Sequence, residues 1–528
     1  MTIITSRRFA VVLATAIGLV LSSWCLGQND KAEKAKPKAL APPPKITISK
    51  ETTWAIEPRR DDGFIDYLEV LNRRYSKDVT VENNACVLLY QAMGPSPDGT
   101  RMSDRFFRRM GIERLPDEGQ YFQSFRKWAA SQDNAPPINQ INDMEYRADE
   151  RPWKAAEFPL VAAWLKENEI PLLLVVAATE RPRYFSPLVN ADANPDGGLI
   201  EVMLPGVQES RALARALAAR AMWELAEGSQ FDAWRDLMAM HRLGRLVGQG
   251  PTLIEFLTGV AIESMAFQGE FRFLAETKPT AKLMTLYRKQ LDHLPARALI
   301  ADKLDVGERI CFLDCAHRVA RNQMTLNEIF VGREDNPLID KLSEGVIARM
   351  VDWDEVLKSG NQWFDRLAEI SRMPDFLART AAMTKLEEDV KKLSEQKRGP
   401  LALLDGKPTI TQAMSDTLIS LQLPSVTQVH GAEGRVIQRM RNLELAFAMA
   451  IWRSEHDSYP ESLDILAPKY IAEVPKDHFN GQPLKYERTD TGYRFYSVGK
   501  NGKDDEGRSY DEGADDLVVR MAVAKDAK

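Results

Sequence analysis

The chain is 528 residues long, with 70 basic and 76 acidic side chains and a net charge of -6. A mean hydropathy of -0.34 excludes a polytopic membrane protein, and the lack of a basic surplus argues against nucleic acid as a partner. Four cysteines exclude a disulfide scaffold, and ordinary Gly and Pro counts of 30 and 29 exclude a fibrous or wholly disordered chain.

Arg7 and Arg8 precede an apolar run from Phe9 to Leu21, and Ser22, Ser23, Cys25 and Gly27 lead to polar Gln28. A basic start, a short apolar stretch and small exit residues predict a secretory signal peptide over 1–27. The alternative is a retained anchor, although the run is short for a span of ~20 residues. Phe9 comes one place early for a twin-arginine signal, and Trp24 is too large for a lipoprotein box at Cys25. The protein is therefore expected to be exported, to the periplasm or outside the cell, and to meet a membrane only if the segment is kept.

Residues 28–50 carry Lys31, Lys34, Lys36, Lys38, Lys45 and Lys50, with Pro37 and the run Pro42-Pro43-Pro44. Spaced like charges and locked φ angles predict an extended linker. Cleavage would leave Cys86, Cys311 and Cys315, an odd set that specifies no disulfide framework.

From 51 to 422 the pattern is helical, with a possible sub-boundary near 280–300. Helices are predicted near 64–75, 80–93, 118–131, 153–168, 297–321, 352–371 and 376–396. Ala212, Leu213, Ala216, Leu217 and Leu225 favour a helix that Gly228 ends. Phe231, Trp234, Leu237, Met238, His241 and Leu246 form the next apolar stripe, which Gly248-Gln249-Gly250-Pro251 breaks, and Leu253 to Leu274 is a third helix. Leu199 to Leu204 reads as a short strand or a buried extended piece. Residues 221–248 look like one tetratricopeptide-type hairpin, but no second copy follows, so an irregular bundle is expected.

Several constellations could carry chemistry. Glu224, His241 and Glu263 lie on three successive helices, and their convergence would make a carboxylate/His site, a hydrolase cleft within 207–276. Cys311, Asp314, Cys315 and His317 share one helix, yet no second Cys/His pair completes a zinc site. Ser124-x-x-Lys127 and Ser394-x-x-Lys397 match a Ser/Lys spacing that occurs by chance in a chain this long. Trp223, Trp234, Met222, Met238, Met240 and Met265 sit at helical spacing and read as core. There is no Gly-x-Ser-x-Gly, Walker loop or His-Glu-x-x-His.

The pattern changes at Leu423-Pro424. A helix from Glu433 to about Glu455 puts Val436, Met440, Leu443, Phe447 and Ile451 on one face. Strand-like pieces follow at Leu484 to Tyr486, Tyr493 to Val498 and Leu517 to Met521, with turn signals at Asn480-Gly481 and Asn501-Gly502. One helix across a small antiparallel sheet is expected over 423–528. The fold class is thus mainly α, a large irregular helical body followed by a small α+β unit.

The stretch Leu443 to Pro460, then Asp477-His478-Phe479-Asn480-Gly481-Gln482-Pro483-Leu484-Lys485-Tyr486, Tyr496-Ser497-Val498-Gly499-Lys500-Asn501-Gly502 and Asp515-Asp516, resembles the periplasmic domain of the G-type (major) pseudopilin of type II secretion. The likeness covers about 432–521. It implies a calcium (Ca2+) site at the Val498 carbonyl, Asn501, Asp515 and Asp516. On their own terms, residues 501–516 hold Asp504, Asp505, Glu506, Asp511, Glu512, Asp515 and Asp516 against Lys503 and Arg508, a crowd of hard oxygens suited to that ion. Asn501 stands where the family usually has Asp, and the loop is about twice the family's length. A pseudopilin starts with a very apolar helix that packs into a fibre; the corresponding helix here carries Arg435, Arg439 and Arg441. The unit is expected to be an appended module rather than a fibre subunit. The chain reads as an exported, non-enzymatic envelope scaffold whose partner is another envelope protein. The alternatives are an accessory of a type II secretion-like apparatus, or the hydrolase above.

Overall fold

A computed structural model describes residues 44–522 apart from 278, 327–346, 396–406, 424–425 and 490–491. The signal segment, residues 28–43 of the linker, Pro424 and Lys397 of the second Ser/Lys pair lie outside the described residues.

The first helices follow their caps more closely than their apolar spacing. Helix α1 (Tyr67–Tyr75) begins where the Asp66 side chain accepts from the Glu69 N–H, and α2 (Ala85–Met93) waits for Asn84, which accepts from the Cys86 N–H. Helix α3 (Asp104–Met110) is capped by Ser103. The helix expected over 118–131 shortens to α4 (Phe125–Ala130), with Ser124 as its N-cap. Helix α5 (Ile138–Glu150) follows. The helix expected over 153–168 shortens to α6 (Pro159–Glu167), because Pro159 fixes the first turn. Helix α7 (Glu169–Thr179) follows directly. Leu199 to Leu204 is not a strand: Leu199–Glu201 is a 3-10 turn, held where the Leu199 N–H donates to Asp314 Oδ2 at 2.8 Å.

Three long helices form the centre, α8 (Pro205–Ala226), α9 (Gln230–Val247) and α10 (Leu253–Glu276), each packed on the other two. Gly228 turns the chain between α8 and α9 at φ +84°, and Ala233 is fully buried. The Gly248–Pro251 break is sealed by Lys303, which is only 3% exposed and donates Nζ to the carbonyls of Gln249 (3.1 Å) and Gly250 (2.6 Å). Helices α9 and α10 cross at two glycines. A Cβ on Gly259 would stand 2.3 Å from the Gly244 carbonyl oxygen, and one on Gly244 2.7 Å from the Gly259 carbonyl. Backbone cannot rotate aside as a side chain can, so the Gly259→Ala variant is expected to lose about 1–3 kcal/mol. Urea unfolding at unchanged m-value is the check; an unaltered midpoint would show that the helices part without cost.

Helix α11 (Ala281–Asp292) occupies the region of the expected sub-boundary. A π-helical segment, Lys303–Glu308, runs into α12 (Arg309–Ala320), where Gly307 leaves room for the Pro251 carbonyl oxygen, 2.2 Å from where a Cβ would sit. Helices α13 (Trp353–Ser371), α14 (Phe376–Glu395) and α15 (Lys407–Gln422) pack against one another and complete the body.

Helix α16 (Val426–His456) is longer than expected and packs on both α10 and α11. Val436, Leu443 and Phe447 are fully buried, and Phe447 meets Trp234 edge-on at 5.6 Å. Strands β1 (Lys485–Thr489), β2 (Gly492–Ser497) and β3 (Leu517–Ala522) form an antiparallel sheet in the order β1-β2-β3, with Lys485 opposite Tyr496 and Gly492 opposite Ala522. Central β2 is buried, while edge strand β1 is mostly exposed and carries Lys485, Glu487 and Arg488, charges that discourage further strand pairing. The chain is mainly α with a small antiparallel sheet at its C-terminal end, as expected. One apolar cluster runs without a break from Ile65 through Phe447 to Phe495, joining sheet and body. Among the described residues, no helix is long and apolar enough to cross a membrane.

Candidate functional site

The acidic loop leaves β2 at Ser497. The Val498 N–H donates to Oδ2 of buried Asp477 at 2.8 Å. Gly499 has φ +68°, and a Cβ there would stand 2.1 Å from the Asp515 carbonyl oxygen, so only glycine lets the two ends of the loop close. Asp515 Oδ2 accepts the Asn501 N–H at 2.8 Å. Asp505 Oδ2 accepts from Asn501 Nδ2 at 3.0 Å, and Asn501 Oδ1 accepts the Lys503 N–H at 2.7 Å. Asp516 is 2% exposed; its Oδ2 accepts from Asp505 N–H (3.2 Å) and Gly507 N–H (2.7 Å), while its Oδ1 is buried with no hydrogen-bond partner. Burial pushes the Asp516 carboxyl up to about 6, against the pull of the Gly507 N–H, and the charges of Asp505 and Asp504 add to the rise.

Thus Asn501, Asp515 and Asp516 do lie together, and Asp505 joins them. The other acids go elsewhere. Asp504 accepts from the Tyr496 hydroxyl at 3.0 Å and pairs with Lys485 at 3.4 Å, and Glu512 pairs with Arg520 at 2.9 Å. The donors suit calcium in type, and one buried oxygen is left for it. Among the described residues, no group of three or more His, Cys, Asp or Glu side chains is set to hold a metal ion.

Behind the loop lies a cavity of about 260 Å³, between α10, α16 and β3. Phe267 and Phe271 line one side, Arg435 and Arg439 another, and Asp511 and Asp515 a third. The two arginines are one turn apart on α16. Burial pulls both guanidinium groups down, Arg439 to about 10, where neighbouring Arg435 adds to the fall and Asp511 opposes it. Asp515 opposes the fall of Arg435. In sequence these arginines read only as a departure from a pseudopilin helix. Their i,i+4 spacing on one helix was the available signal.

The expected carboxylate/His triad divides. His241 Nδ1 is 3.6 Å from Glu263, and its Nε2 is 2.8 Å from Glu270. Glu263 also takes two bonds from Arg297 (2.8 and 2.7 Å) and one from Arg245 (3.3 Å). Glu224 is elsewhere, 3.6 Å from Arg235 and 4.0 Å from Arg220, which itself grips buried Asp236 through two bonds. Glu270 and Arg297 were not legible as members of the cluster, because only the packing of α10 and of the segment after α11 brings them to His241; Arg245 stands one turn along α9 from His241, and that i,i+4 spacing was the available signal. Burial disfavours the imidazolium, yet Glu270 and then Glu263 overcome it and raise His241 to about 9. Glu263 is held well below the usual carboxylate range against its burial, mainly by Arg297, then by His241 and Arg245. His241, Glu263 and Glu270 are at most 1% exposed.

The remaining motifs stay apart. Cys311 and Cys315 are buried free thiols, the Cys311 thiol raised first by its hydrogen bond with the Cys315 thiol and then by burial. Asp314 is engaged with Leu199 and Arg318, and His317 lies edge-on to Phe64 and Tyr67, lowered to about 4 by burial and then Arg321. Lys127 pairs with Asp98 at 3.8 Å, while Ser124 occupies the N-cap position of α4 without a side-chain capping bond. Trp234, Met222, Met238 and Met240 are core, and Trp223 stacks on Trp153 at 5.5 Å. Comparison of the chain with protein-family models, with curated proteins and with solved structures finds no match.

Proposed function

We propose that the protein is an exported, non-enzymatic scaffold of the cell envelope, whose C-terminal helix-on-sheet unit takes calcium and engages another envelope protein. The observation that carries the calcium reading is the buried Asp516 Oδ1, which has no donor although Asp504 and Asp505 crowd the same carboxylate. The Val498 carbonyl, Asn501, Asp515 and Asp516 would hold the ion, with Asp505 beside them. Bound calcium would supply the positive charge that this run of acids lacks. The non-enzymatic reading draws support from the sealing of His241 and Glu263 among arginines, where no solvent-reached substrate atom can meet them. A hydrolase in 207–276 and an accessory of a type II secretion-like apparatus remain the competing readings; the second rests on the pseudopilin likeness of 432–521.

The test uses the full chain, because α16 is shared between sheet and body. Thermal unfolding with calcium should show a higher midpoint than with chelator, since a ligand of the folded state alone at a hundredfold its Kd adds about 2.7 kcal/mol. Asp516→Asn should abolish the difference. A midpoint indifferent to millimolar calcium would end the calcium reading.

A further inference from the structure

We infer that the cavity between α10, α16 and β3 is a binding site for a small zwitterion with an apolar side chain, of the α-amino-acid type. Three features of its walls converge on that class. Arg435 and Arg439, one turn apart on α16, both line it, and paired guanidinium groups offer the planar forks that match a carboxylate. Asp511 lines it from the loop, and its Oδ1 is buried with no hydrogen-bond partner, which suits an ammonium. Phe267 and Phe271 of α10 add aromatic surface to the same lining.

Charge decides against simpler ligands. The arginines alone would call for an anion, but Asp511, Asp515 and Asp516 line the same space. A plain anion would face those carboxylates, and a plain cation would face two guanidinium groups that already repel each other. A zwitterion meets both poles without adding net charge. The volume, about 260 Å³, suits a molecule of amino-acid size and is small for a folded partner's side-chain cluster. Asp515 and Asp516 belong both to this lining and to the calcium reading, so the titration below keeps calcium out with chelator.

Calorimetric titration of the full chain, with chelator present, separates the classes. The probes are L-leucine, 4-methylpentanoate, which lacks the ammonium, and L-leucinamide, which lacks the carboxylate. L-leucine is expected to bind, and each analogue to bind roughly 10–100-fold more weakly, the loss of one charge-assisted hydrogen bond. Asp511→Asn should weaken L-leucine and, with one facing carboxylate neutralised, tighten 4-methylpentanoate, and Arg435→Gln should weaken both. No heat from L-leucine at millimolar concentration, or equal affinity for either analogue, would overturn the proposal. The analogue comparison uses the unaltered protein, so it stands even where a variant fails to fold.

Discussion

Glu263→Gln is expected to cost about 3–5 kcal/mol of folding stability, the range for breaking a buried ion pair by removing one partner. Glu263 is 1% exposed and is the carboxylate on which Arg245, Arg297 and His241 converge. Glutamine keeps the volume and one acceptor but not the charge. His241 would then keep Glu270 at 2.8 Å, while Arg245 and Arg297 would lose the one carboxylate that both of them bond. Denaturant titration at pH 6 measures the loss. A variant within about 0.5 kcal/mol of the parent, the ordinary surface range, would show that solvent reaches the cluster and that it is no structural keystone.

The same cluster sets a pH window. His241 has its folded pKa raised from 6.5 to about 9. Between those values the folded state holds a proton that the unfolded chain releases, so stability falls as pH rises. Below 6.5 that contribution is fully present. Glu263 works oppositely: its folded pKa lies below 4.5, so its contribution is present above that value and fades as pH falls through the lowered one. His241 and Glu263 together therefore stabilise most between about 4.5 and 6.5, while Glu270, raised above 4.5 by its burial, lowers stability as pH climbs from 4.5. Glu263→Gln should flatten the alkaline limb, because one of the two carboxylates that hold the His241 proton is gone.

Legibility in the sequence follows the range of the forces involved. Gly228 and the Gly248–Pro251 break are local backbone events, and both end helices where the residues say. The stripe through Val436, Leu443 and Phe447, and the turn signals around β2, are short-range patterns too, and the helix and sheet appear there. Helix α7 escaped because Glu169–Thr179 is apolar almost all round, leaving no period to read. Helix α5 escaped for the opposite reason, with only Ile141 and Ala148 buried in thirteen residues. Leu199 to Leu204 looked extended because its anchor, Asp314, lies on a helix 115 residues away in sequence. The site obeys the same division: Asn501, Asp515 and Asp516 meet within one loop, whereas Arg297 on Glu263, or a cavity lined by both Arg439 and Phe271, exists only once distant elements have packed.

Asp236→Asn is the second substitution expected to reach ~3 kcal/mol, and Glu224 decides how far it goes. Asp236 is fully buried and takes Arg220 Nε at 2.5 Å and Nη2 at 2.8 Å. Glu224 stands 4.0 Å from the same Arg220, but burial and then the Asp236 charge raise its pKa from 4.5 to about 8, so it is largely protonated at neutral pH. Removing the Asp236 charge removes Glu224's main repeller. Glu224 then ionises and takes over as counter-ion to Arg220 and Arg235. The double variant Asp236→Asn/Glu224→Gln strips buried Arg220 of both these carboxylates, while Arg235 keeps Asp232 at 2.9 Å, and should lose more than the two single losses added, by roughly 0.5–3 kcal/mol. Glu224→Gln alone should do the reverse with pH. Between 4.5 and 8 the folded parent keeps a proton that the unfolded chain gives up, so parent stability declines across that window. The variant lacks that slope and should gain on the parent by up to about 1.4 kcal/mol for each pH unit crossed on going from the acid to the alkaline end. Unfolding free energies measured at both ends decide it: parallel pH profiles for parent and variant would mean that Glu224 is ionised throughout, and additive losses in the double variant would mean that it never replaces Asp236.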